Sequence, residues 1–300
     1  MIDVKNLTLT YPSGKGVFDL DFSVGRGVVC GYLGPNGAGK TTTIRALMGF
    51  MQPDSGTCSI DGLDCYDKVP LIQKRLGYIP GEIAFLDGMA GDEYLRFIRK
   101  MRGLKNGEAV SMEKTLLDRF ELDPRGKIKK FSKGMKQKLG IVAAFLHDPD
   151  ILILDEPTSG LDPLMQSRFV DLILSEKRRG KTILMSSHSF EEVERTCDTI
   201  LIIKEGRIIH QSDAKTLKSS QRRVYLLRAA EPEIAAGSLS AAGFDVTRTP
   251  AGLLKTVVAG DQIGLLIKTC AGLKIEDLDV ETQSLESVFM QFYGRGGDLT

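Results

Sequence analysis

Apolar and polar positions along the chain repeat with the period of a β-strand in some segments and of a helix in others. Residues 2–11 (IDVKNLTLTY) alternate between apolar and polar side chains, which is typical of a half-buried strand. A short turn and a second alternating segment, VFDLDFSV (17–24), follow, so the chain is predicted to begin with an antiparallel pair. Three later segments are almost continuously apolar, as expected of strands covered on both faces: VVCGYL (28–33), ILILDEP (151–157) and KTILMSSH (181–188).

Helical segments separate these buried strands. The pattern predicts them at roughly 40–50, 91–103, 110–121, 134–147, 163–179 and 189–197. Another apolar segment, TILIIKEGRII (199–209), is predicted to form a hairpin through Glu205 and Gly206. Strands that alternate with helices predict an α/β fold built on a mainly parallel sheet.

A change of pattern near residues 212–221 predicts a domain boundary. The periodicity gives way to polar residues there, so we divide the chain into a first domain at 1–212, a linker at 213–221 and a second domain at 222–300. The second domain has the order strand, helix, strand, strand, helix, strand, which is that of a small α+β ferredoxin-like unit. One extra helix, SLESVFMQFYG (284–294), is predicted after it.

The composition argues against several classes of protein. With 42% hydrophobic and 26% charged residues, the chain is expected to be globular and soluble. A formal net charge of +1 provides no global field for binding nucleic acid or an anionic membrane. The five cysteines are scattered without a CxxC pair, so reduced thiols are expected rather than disulfides or a zinc site. With no apolar signal region or membrane-length apolar run in the sequence, we expect a cytosolic chain.

A glycine-rich loop follows the first buried strand. GPNGAGKT, from Gly34 to Thr41, matches the phosphate-loop pattern G-x-x-x-x-G-K-[ST] at a strand-to-helix junction. Its glycines let successive backbone N–H groups turn towards a phosphate, and Lys40 adds a compact positive charge for the β and γ oxygens. The Thr41 hydroxyl is a suitable ligand for Mg²⁺. The segment therefore predicts a site for a nucleoside triphosphate.

Two acidic residues close the next buried strand. Asp155 and Glu156 stand at the carboxyl end of ILILDEP, which is where open α/β sheets bind ligands. We expect Asp155 to hold Mg²⁺ through water and Glu156 to polarise the attacking water as the base of nucleotide hydrolysis. The alternative, solvated acids at a strand end, is weak beside a complete phosphate loop.

A second helix start suited to an anion lies at FSKGMKQKLG (131–140). Ser132 can cap this helix, while Lys133 and Lys136 add positive charge near its free N–H groups. Together with the phosphate loop and the acid pair, FSKGM resembles the signature motif of the ATP-binding subunits of ATP-binding cassette (ABC) transporters. The resemblance covers about residues 2–212. It implies that the signature helix caps the γ-phosphate of an ATP held by a partner subunit, with two ATP molecules enclosed in a head-to-tail dimer.

The resemblance carries over to individual residues. Tyr11 resembles the aromatic residue on which adenine stacks, and His188 the switch histidine that contacts the γ-phosphate and the attacking water; a surface tyrosine and a structural histidine are the alternatives. Ser189 and Glu192 after it are predicted to form a capping box. The implied catalytic residues are Lys40, Glu156 and His188. The implied ATP-binding residues are Tyr11, Gly34, Pro35, Asn36, Gly37, Ala38, Gly39, Lys40, Thr41 and Thr42. The implied signature residues are Ser132, Lys133, Gly134 and Met135, and those of the loop coupling the two sites (the D-loop) are Ser159, Gly160, Leu161 and Asp162.

One position departs from the family pattern. ABC subunits usually have a glutamine after the strand that contains GYIP, where it contacts Mg²⁺ and senses the membrane domain. Gly81 stands at that position, and Glu82 follows it. Either Glu82 joins Thr41 and Asp155 as a metal ligand, or the loop is built differently and Glu82 is solvated.

The resemblance also implies an architecture, cofactors and partners. The first domain is expected to be a phosphate-loop NTPase cassette, with a mainly parallel sheet, an antiparallel β-subdomain and a helical subdomain at about 85–147. ATP and Mg²⁺ are the implied cofactors. An integral membrane permease on a separate chain and a second copy of the cassette are the implied partners, with a heterodimer as the alternative. The location implied is the cytoplasmic face of the cell membrane.

The predicted function is to power transport by ATP hydrolysis. The extra domain and the missing glutamine favour export of a drug, an antibiotic or a lipid over import. A soluble ABC ATPase that acts on ribosomes or DNA is a further alternative, although the balanced charge argues against a nucleic-acid partner. A kinase or GTPase of another phosphate-loop class would leave FSKGM and His188 unexplained. The second domain is expected to serve dimer contact or regulation, with ligand sensing as the alternative.

Overall fold

A computed structural model of the chain describes residues 1–86, 88–104, 106–214, 223–258 and 262–282. The chain divides into two compact units, Met1–Ser212 and Asp213–Thr300. Most of the predicted linker at 213–221 and all of the predicted helix at 284–294 lie outside the described residues.

The first unit combines two sheets with several helices. Its strands are β1 (Ile2–Thr10), β2 (Gly16–Val24), β3 (Val29–Leu33), β4 (Ser55–Ile60), β5 (Leu63–Asp64), β6 (Leu76–Ile79), β7 (Ile151–Asp155), β8 (Thr182–Ser187), β9 (Thr199–Lys204) and β10 (Arg207–Asp213). Its helices are α1 (Lys40–Leu47), α2 (Val69–Gln73), α3 (Gly91–Met101), α4 (Asn106–Arg119), α5 (Lys133–Phe145), α6 (Pro163–Arg178) and α7 (Phe190–Thr196), with a 3₁₀ turn at Ile128–Lys130. Over the described parts of the chain, none of the helices has the length and hydropathy needed to span a membrane.

The central sheet has the strand order β10-β9-β3-β8-β7-β6. The strands from β9 to β6 are parallel, as the apolar runs predict. β10 joins the edge through the predicted hairpin, in which Glu205 and Gly206 both have a left-handed φ, 49° and 77°. Because β3, β7 and β8 are adjacent and parallel, the phosphate loop, the acid pair and His188 follow neighbouring strands at one edge.

A second, antiparallel sheet has the order β2-β1-β4-β5. The sequence pattern predicts β1 and β2 but misses β4 and β5, since SGTCSI is mostly small and polar and buries only Cys58 and Ile60. The pattern also misses α2, which has only five residues.

One apolar core joins the two sheets to α1. It includes Phe22 on β2, Tyr32 on β3 and Leu47 on α1, and the rings of Phe22 and Tyr32 lie 5.8 Å apart. The Tyr32 hydroxyl also lies 3.0 Å from Thr43 Oγ1 on α1. Burial of each large apolar side chain contributes about 1.5–3 kcal/mol. The core therefore anchors both ends of the phosphate loop, which connects β3 to α1.

The predicted helical subdomain contains α3, α4, the 3₁₀ turn and α5. Helix α3 begins where the Ala90 N–H donates to Glu93 Oε2 at 2.7 Å, and the ion pair of Arg99 and Glu113 (3.3 Å) joins α3 to α4. Ser132 Oγ accepts a hydrogen bond from the Met135 N–H at 3.2 Å and caps α5, as the sequence predicts.

The second unit is built on one antiparallel sheet. Its elements are β11 (Arg223–Ala229), α8 (Pro232–Ala241), β12 (Val246–Arg248), β13 (Leu254–Val258), α9 (Ile263–Ala271) and β14 (Ile275–Thr282). The strand order is β12-β13-β11-β14, and Leu227 at its centre pairs with Leu254 on one side and Leu278 on the other. Leu239 of α8 and Leu266 of α9 pack with Leu227 and Leu254 in a separate apolar core.

Candidate nucleotide-binding and hydrolysis site

The phosphate loop turns tightly between β3 and α1, with Pro35, Asn36 and Gly37 exposed at its tip. At Gly34 a Cβ would lie 2.5 Å from the Ile203 carbonyl oxygen, so no larger residue fits. Gly39 has φ 111°, and a Cβ there would lie 2.7 Å from a Val17 methyl. Gly39 precedes α1 without a side-chain cap, which leaves the helix N-terminus suited to a phosphate.

Lys40 is buried inside this loop. Its Nζ donates to the carbonyl oxygens of Gly34 (2.6 Å) and Pro35 (3.2 Å) and lies 3.4 Å from Glu156 Oε1. The loop is therefore folded around the ammonium group. The Lys40 ammonium group is therefore already positioned for a bound phosphate, whose oxygens would compete with the two carbonyl oxygens for its N–H groups.

Asp155 lies under the first turn of α1. Thr41 Oγ1 donates to its Oδ2 at 2.8 Å and Ser186 Oγ to its Oδ1 at 2.5 Å, and the residue is only 1% exposed. The Thr41 hydroxyl and the Asp155 carboxylate are the hard oxygen donors that Mg²⁺ prefers. This donor set fits the predicted metal site.

Glu156 has an unusual backbone conformation. Its φ is 47°, in the left-handed region that a non-glycine residue adopts at a cost of about 1–3 kcal/mol. The Glu156 N–H donates to Ser186 Oγ at 2.9 Å, which holds the turn. The carboxylate, 25% exposed, lies between Lys40 and His188, with its Oε2 3.6 Å from His188 Nδ1.

The three predicted catalytic residues thus lie together. The 3.6 Å separation of Glu156 and His188 is longer than a hydrogen bond, and the His188 side chain is 64% exposed. Because the His188 ring is exposed and the Glu156 carboxylate is partly exposed, a ligand can reach both groups from solvent, while Lys40 lies buried beneath them.

Tyr11 lies beside α1. Its hydroxyl is 3.4 Å from Thr42 Oγ1 and 3.4 Å from Met51 Sδ, and Arg45 Nη1 donates to it at 3.4 Å. The half-buried ring therefore sits next to the helix that begins at the phosphate loop. Its role as the adenine platform stays a prediction.

The signature helix α5 packs against the loop that follows the acid pair. A Cβ on Gly134 would lie 2.9 Å from the Gly160 carbonyl oxygen, and Gln137 Nε2 donates to the Pro157 carbonyl at 2.7 Å. Ser132 and Lys133 at its start are exposed, and Met135 is half-buried. The helix start is therefore open to a ligand while its body is tied to the acid pair's own loop.

The predicted D-loop runs from Ser159 to Asp162 and leads into α6. Asp162 Oδ1 accepts from the Met165 N–H at 3.0 Å, which makes Asp162 the N-cap of α6. Leu161 is buried and Gly160 exposed, with a φ of 80° at Gly160.

The loop with the missing glutamine reaches Asp155 through its backbone. A Cβ on Gly81 would lie 3.1 Å from Asp155 Oδ2, so a side chain at this position would point towards the carboxylate. Glu82 is exposed, and among the described residues it makes no hydrogen bond or ion pair. Its part in metal binding stays a prediction.

Sequence reasoning missed three residues that build the site: Ser186, Gln137 and Thr158. Ser186 pairs with Asp155 in the parallel register of β7 and β8, and its signal was a polar residue inside an apolar strand. Gln137 is buried on an otherwise apolar helix face, which was also visible in the sequence.

The predicted capping box at α7 is half wrong. Ser189 Oγ does accept from the Glu192 N–H at 3.3 Å, but the Ser189 N–H donates to Ser187 Oγ at 2.9 Å instead of to the glutamate. Glu192 Oε2 accepts instead from Ser187 Oγ (2.7 Å) and from Thr158 Oγ1 (3.3 Å). The serine before His188 competes for the N–H, which the sequence motif alone does not reveal.

Comparison with known proteins places the chain in a family. The family model described as ABC transporter matches residues 17–159. The ABC transporter ATP-binding protein NatA of Bacillus subtilis (strain 168) is 37% identical over 211 residues, 69% of this chain and 86% of the relative. The bacitracin transport ATP-binding protein BcrA of Bacillus licheniformis is 34% identical, over 99% of this chain and 98% of the relative. The Nod factor export ATP-binding protein I of Burkholderia orbicola (strain AU 1054) is 33% identical, over 98% and 97%.

Solved structures agree on the fold. An ATP-binding subunit of an ABC transporter superposes with a TM-score of 0.68 at 34% identity, covering 73% of this chain and 92% of that one. A dimeric bacterial ABC transporter cassette, 23% identical, gives 0.65 over 71% and 99%, which shows the fold alone. The first unit is therefore a phosphate-loop NTPase of the ABC cassette fold, with mixed α/β sheets. Since relatives above 30% identity match almost the whole chain, the protein belongs to the family of ABC transporter ATP-binding subunits, which are ATPases.

Proposed function

We propose that this ATPase drives export through a membrane permease on a separate chain. Two of the relatives that match along both units have names that refer to bacitracin transport and to Nod factor export, and the second name supports the direction. The proposed cargo is a drug, an antibiotic or a lipid. An importer subunit is the alternative.

The cluster of Lys40, Glu156 and His188 carries the proposal for hydrolysis. Lys40 is held at the loop to receive the β and γ oxygens of ATP. Glu156 orients and deprotonates the water that attacks the γ-phosphorus, and the exposed His188 contacts the γ-phosphate and that water. The close approach of the carboxylate to the Lys40 ammonium group (3.4 Å) and to the His188 imidazole (3.6 Å) supports these roles.

Mg²⁺ is proposed to be held by Thr41 and Asp155. When bound, it neutralises negative charge on the phosphate oxygens. Hydrogen bonds from Thr41 and Ser186 hold the Asp155 carboxylate in place, and this carboxylate would position the metal ion next to Thr41. Gly81 brings its backbone to the same carboxylate, and we propose that Glu82 reaches the metal only through water.

The open start of α5 is proposed to complete the site of a second copy. Ser132 caps the helix, and the exposed Lys133 adds a positive charge beside it. In a head-to-tail homodimer, these groups would receive the γ-phosphate held by the partner, and Ser159–Asp162 would lie between the two sites. The dimeric form of a solved cassette with the same fold supports this arrangement.

The permease is proposed to bind near the loop after β6. A cavity of about 310 Å³ lies there, lined by apolar residues that include Phe50, Tyr78, Ile83 and Ile98. Phe50, which lines this cavity, is 55% exposed, so its ring is accessible to a partner surface. The loop after β6 would link this surface to the metal site, because Gly81 in that loop lies beside the Asp155 carboxylate. With such a partner, the chain would lie at the cytoplasmic face of the membrane.

For the second unit, we propose a ferredoxin-like fold with a role in dimer contact or regulation. Its elements follow the order βαββαβ, and β11 and β13 lie at the centre of the sheet with β12 and β14 at the edges. Its core is separate and apolar, so the proposal assigns it no chemistry of its own.

The partner is tested by affinity purification. Tagged Glu156→Gln protein, which should retain ATP, is incubated with ATP and Mg²⁺ in detergent-solubilised membranes, and the bound proteins are identified by mass spectrometry. The matched control is the Lys40→Ala, Glu156→Gln double variant, which should not hold ATP. Recovery of a multi-span membrane protein in near-equal amount supports the proposal. Recovery of ribosomes or nucleic acid alone would assign the chain to the soluble branch of the family.

Direction is tested on the reconstituted pair. In proteoliposomes with the ATPase and ATP on one face, export requires cargo to move away from that face. Bacitracin, the cargo in the name of one full-length relative, is the first compound to test. Movement towards the ATPase face would instead identify an importer.

A further inference from the structure

Glu192, on α7, is a buried carboxylate without a part in the roles proposed above. It is 6% exposed, and its Oε2 accepts hydrogen bonds from Ser187 Oγ (2.7 Å) and Thr158 Oγ1 (3.3 Å). Its Oε1 is buried and has no hydrogen-bond partner among the described residues. Burial raises the pKa of this carboxyl group, against the opposing effect of the two hydroxyls. A half-satisfied carboxylate weakens folding, and groups of this kind concentrate at functional sites.

Starting α7 does not require this side chain. The Ser189 N–H, which a capping box would pair with the glutamate, donates to Ser187 Oγ instead. Ser189 Oγ accepts from the Glu192 backbone, so the helix cap is complete without the carboxylate. The Glu192 side chain therefore does not cap its own helix directly, and it accepts instead from Ser187 at the end of β8 and from Thr158 in the loop after β7.

Those two segments lead to the reacting groups. Thr158 lies in the loop that begins with Glu156, after β7, and Ser187 directly precedes His188 at the end of β8. The distance between Glu156 Oε2 and His188 Nδ1 is 3.6 Å. A cavity of about 300 Å³ is lined by residues of both loops and by Glu192. Because this cavity leaves the two segments without close side-chain packing on that side, hydrogen bonds can set the distance between them.

We propose that Glu192 is a positioning residue for ATP hydrolysis, which sets the spacing of Glu156 and His188 by holding Thr158 and Ser187 together. The inference rests on the proposed roles of Glu156 and His188. A misplacement of about 1 Å between reacting groups costs on the order of 100-fold in rate. The loss should appear in kcat rather than in ATP affinity, because Glu192 makes no hydrogen bond to the phosphate loop in the described structure.

Glu192→Ala and Glu192→Gln separate positioning from mere stability. With Ala, we expect kcat to fall roughly 10- to 100-fold while KM for ATP changes by less than about threefold. Gln should restore most of the activity, because its amide oxygen can accept from the same two hydroxyls. The matched control is Glu191→Ala on the same helical turn, whose side chain is 83% exposed and which should keep the wild-type kcat. Nucleotide binding and thermal unfolding are measured for each variant.

Two results would overturn the inference: a wild-type kcat in Glu192→Ala, or a Gln variant as slow as the Ala variant. Should Glu192→Ala fail to fold, Thr158→Val removes one hydrogen bond at constant volume, and a wild-type kcat in that variant has the same meaning. Glu156→Gln is assayed in parallel. If it turns over ATP normally, the assigned base is wrong; if it is inactive while Glu192→Ala is active, only the positioning role fails.

Discussion

At the scale of single residues, the site depends on a few side chains held in costly conformations. Glu156 keeps a left-handed backbone, and this conformation aims its carboxylate between Lys40 and His188. Ser186 supports both acids at once, since its Oγ donates to Asp155 and accepts from the Glu156 N–H. Strain and support of this kind are typical of a functional turn.

Replacing Glu156 by Gln should abolish turnover but not ATP binding. The amide keeps the size of the side chain but cannot accept the proton of the attacking water, so kcat should fall by about 10²–10⁴-fold. Phosphate release measures turnover, and a fluorescent ATP analogue measures binding. Glu108→Gln, at an exposed position on α4, is the control. ATP hydrolysis at the wild-type rate in Glu156→Gln would contradict the assigned role.

Because His147 is buried, the folded protein should be less stable in mild acid than at neutral pH. Burial, with help from the nearby Arg102, lowers its pKa to about 4, while Asp148 and the bond to the Leu76 carbonyl act in the opposite direction. The unfolded chain, with a histidine pKa near 6.5, then binds more protons than the folded one. Stability is therefore complete above about pH 6.5 and falls by about 1–3 kcal/mol as the pH drops towards 4.

Denaturant unfolding at a series of pH values measures this effect. His147→Gln should flatten the dependence between about pH 6.5 and 4, because the amide has no charge to gain. His188→Gln, which removes an exposed histidine, is measured alongside as the matched variant. An unchanged slope in His147→Gln would show that other groups cause the loss.

At the scale of elements, α5 couples the signature motif to the acid pair. The helix contacts the loop after β7 at two points: Gly134 against Gly160, and Gln137 against Pro157. These contacts tie the helix start to the loop that begins with Glu156.

Gly134→Ala should weaken both folding and turnover. Alanine normally stabilises a helix over glycine, but its Cβ would lie 2.9 Å from the Gly160 carbonyl oxygen and force the loop to shift. We expect a loss of about 1–3 kcal/mol in unfolding free energy and a lower kcat. Gly107→Ala on α4, where nothing lies within 4 Å of the new Cβ, should instead be neutral or stabilising. Equal effects of the two substitutions would rule out the contact as the cause.

At the scale of the whole molecule, one copy presents half of each proposed site. The phosphate loop and acid pair lie at one edge of the central sheet, and the open start of α5 offers a capped helix end with Ser132 and Lys133 exposed. Two copies arranged head to tail would complete two sites, each with ATP at the interface.

ATP should therefore drive dimerisation when hydrolysis is blocked. Glu156→Gln protein with ATP and Mg²⁺ is expected to elute as a dimer in size-exclusion chromatography with light scattering, and as a monomer without nucleotide. Chelating the metal should reduce the dimer fraction, since Mg²⁺ offsets phosphate repulsion at the interface. The Lys40→Ala, Glu156→Gln variant should stay monomeric. A monomer at saturating ATP in Glu156→Gln would argue against the sandwich dimer.

Much of the fold followed from local pattern. The buried strands β3, β7 and β8, the helices after them and the order of the second unit's described elements all matched the apolar periodicity. The pattern missed β4 and β5 because their residues are small and polar, and it predicted a capping box at Glu192 because a motif contains no information about competing partners.

The sequence by itself determined the chemistry: the phosphate loop, the acid pair and the histidine are local motifs whose residue types and spacing already imply phosphate and metal binding. Only the tertiary structure decided how these parts meet. The parallel register of β7 and β8 sets Ser186 beside Asp155, and the fold brings Glu192 to Thr158 and Gly81 to Asp155. The physical reason is range: a motif acts over a few residues along the chain, whereas these contacts join segments far apart in sequence that only the packed sheet brings together.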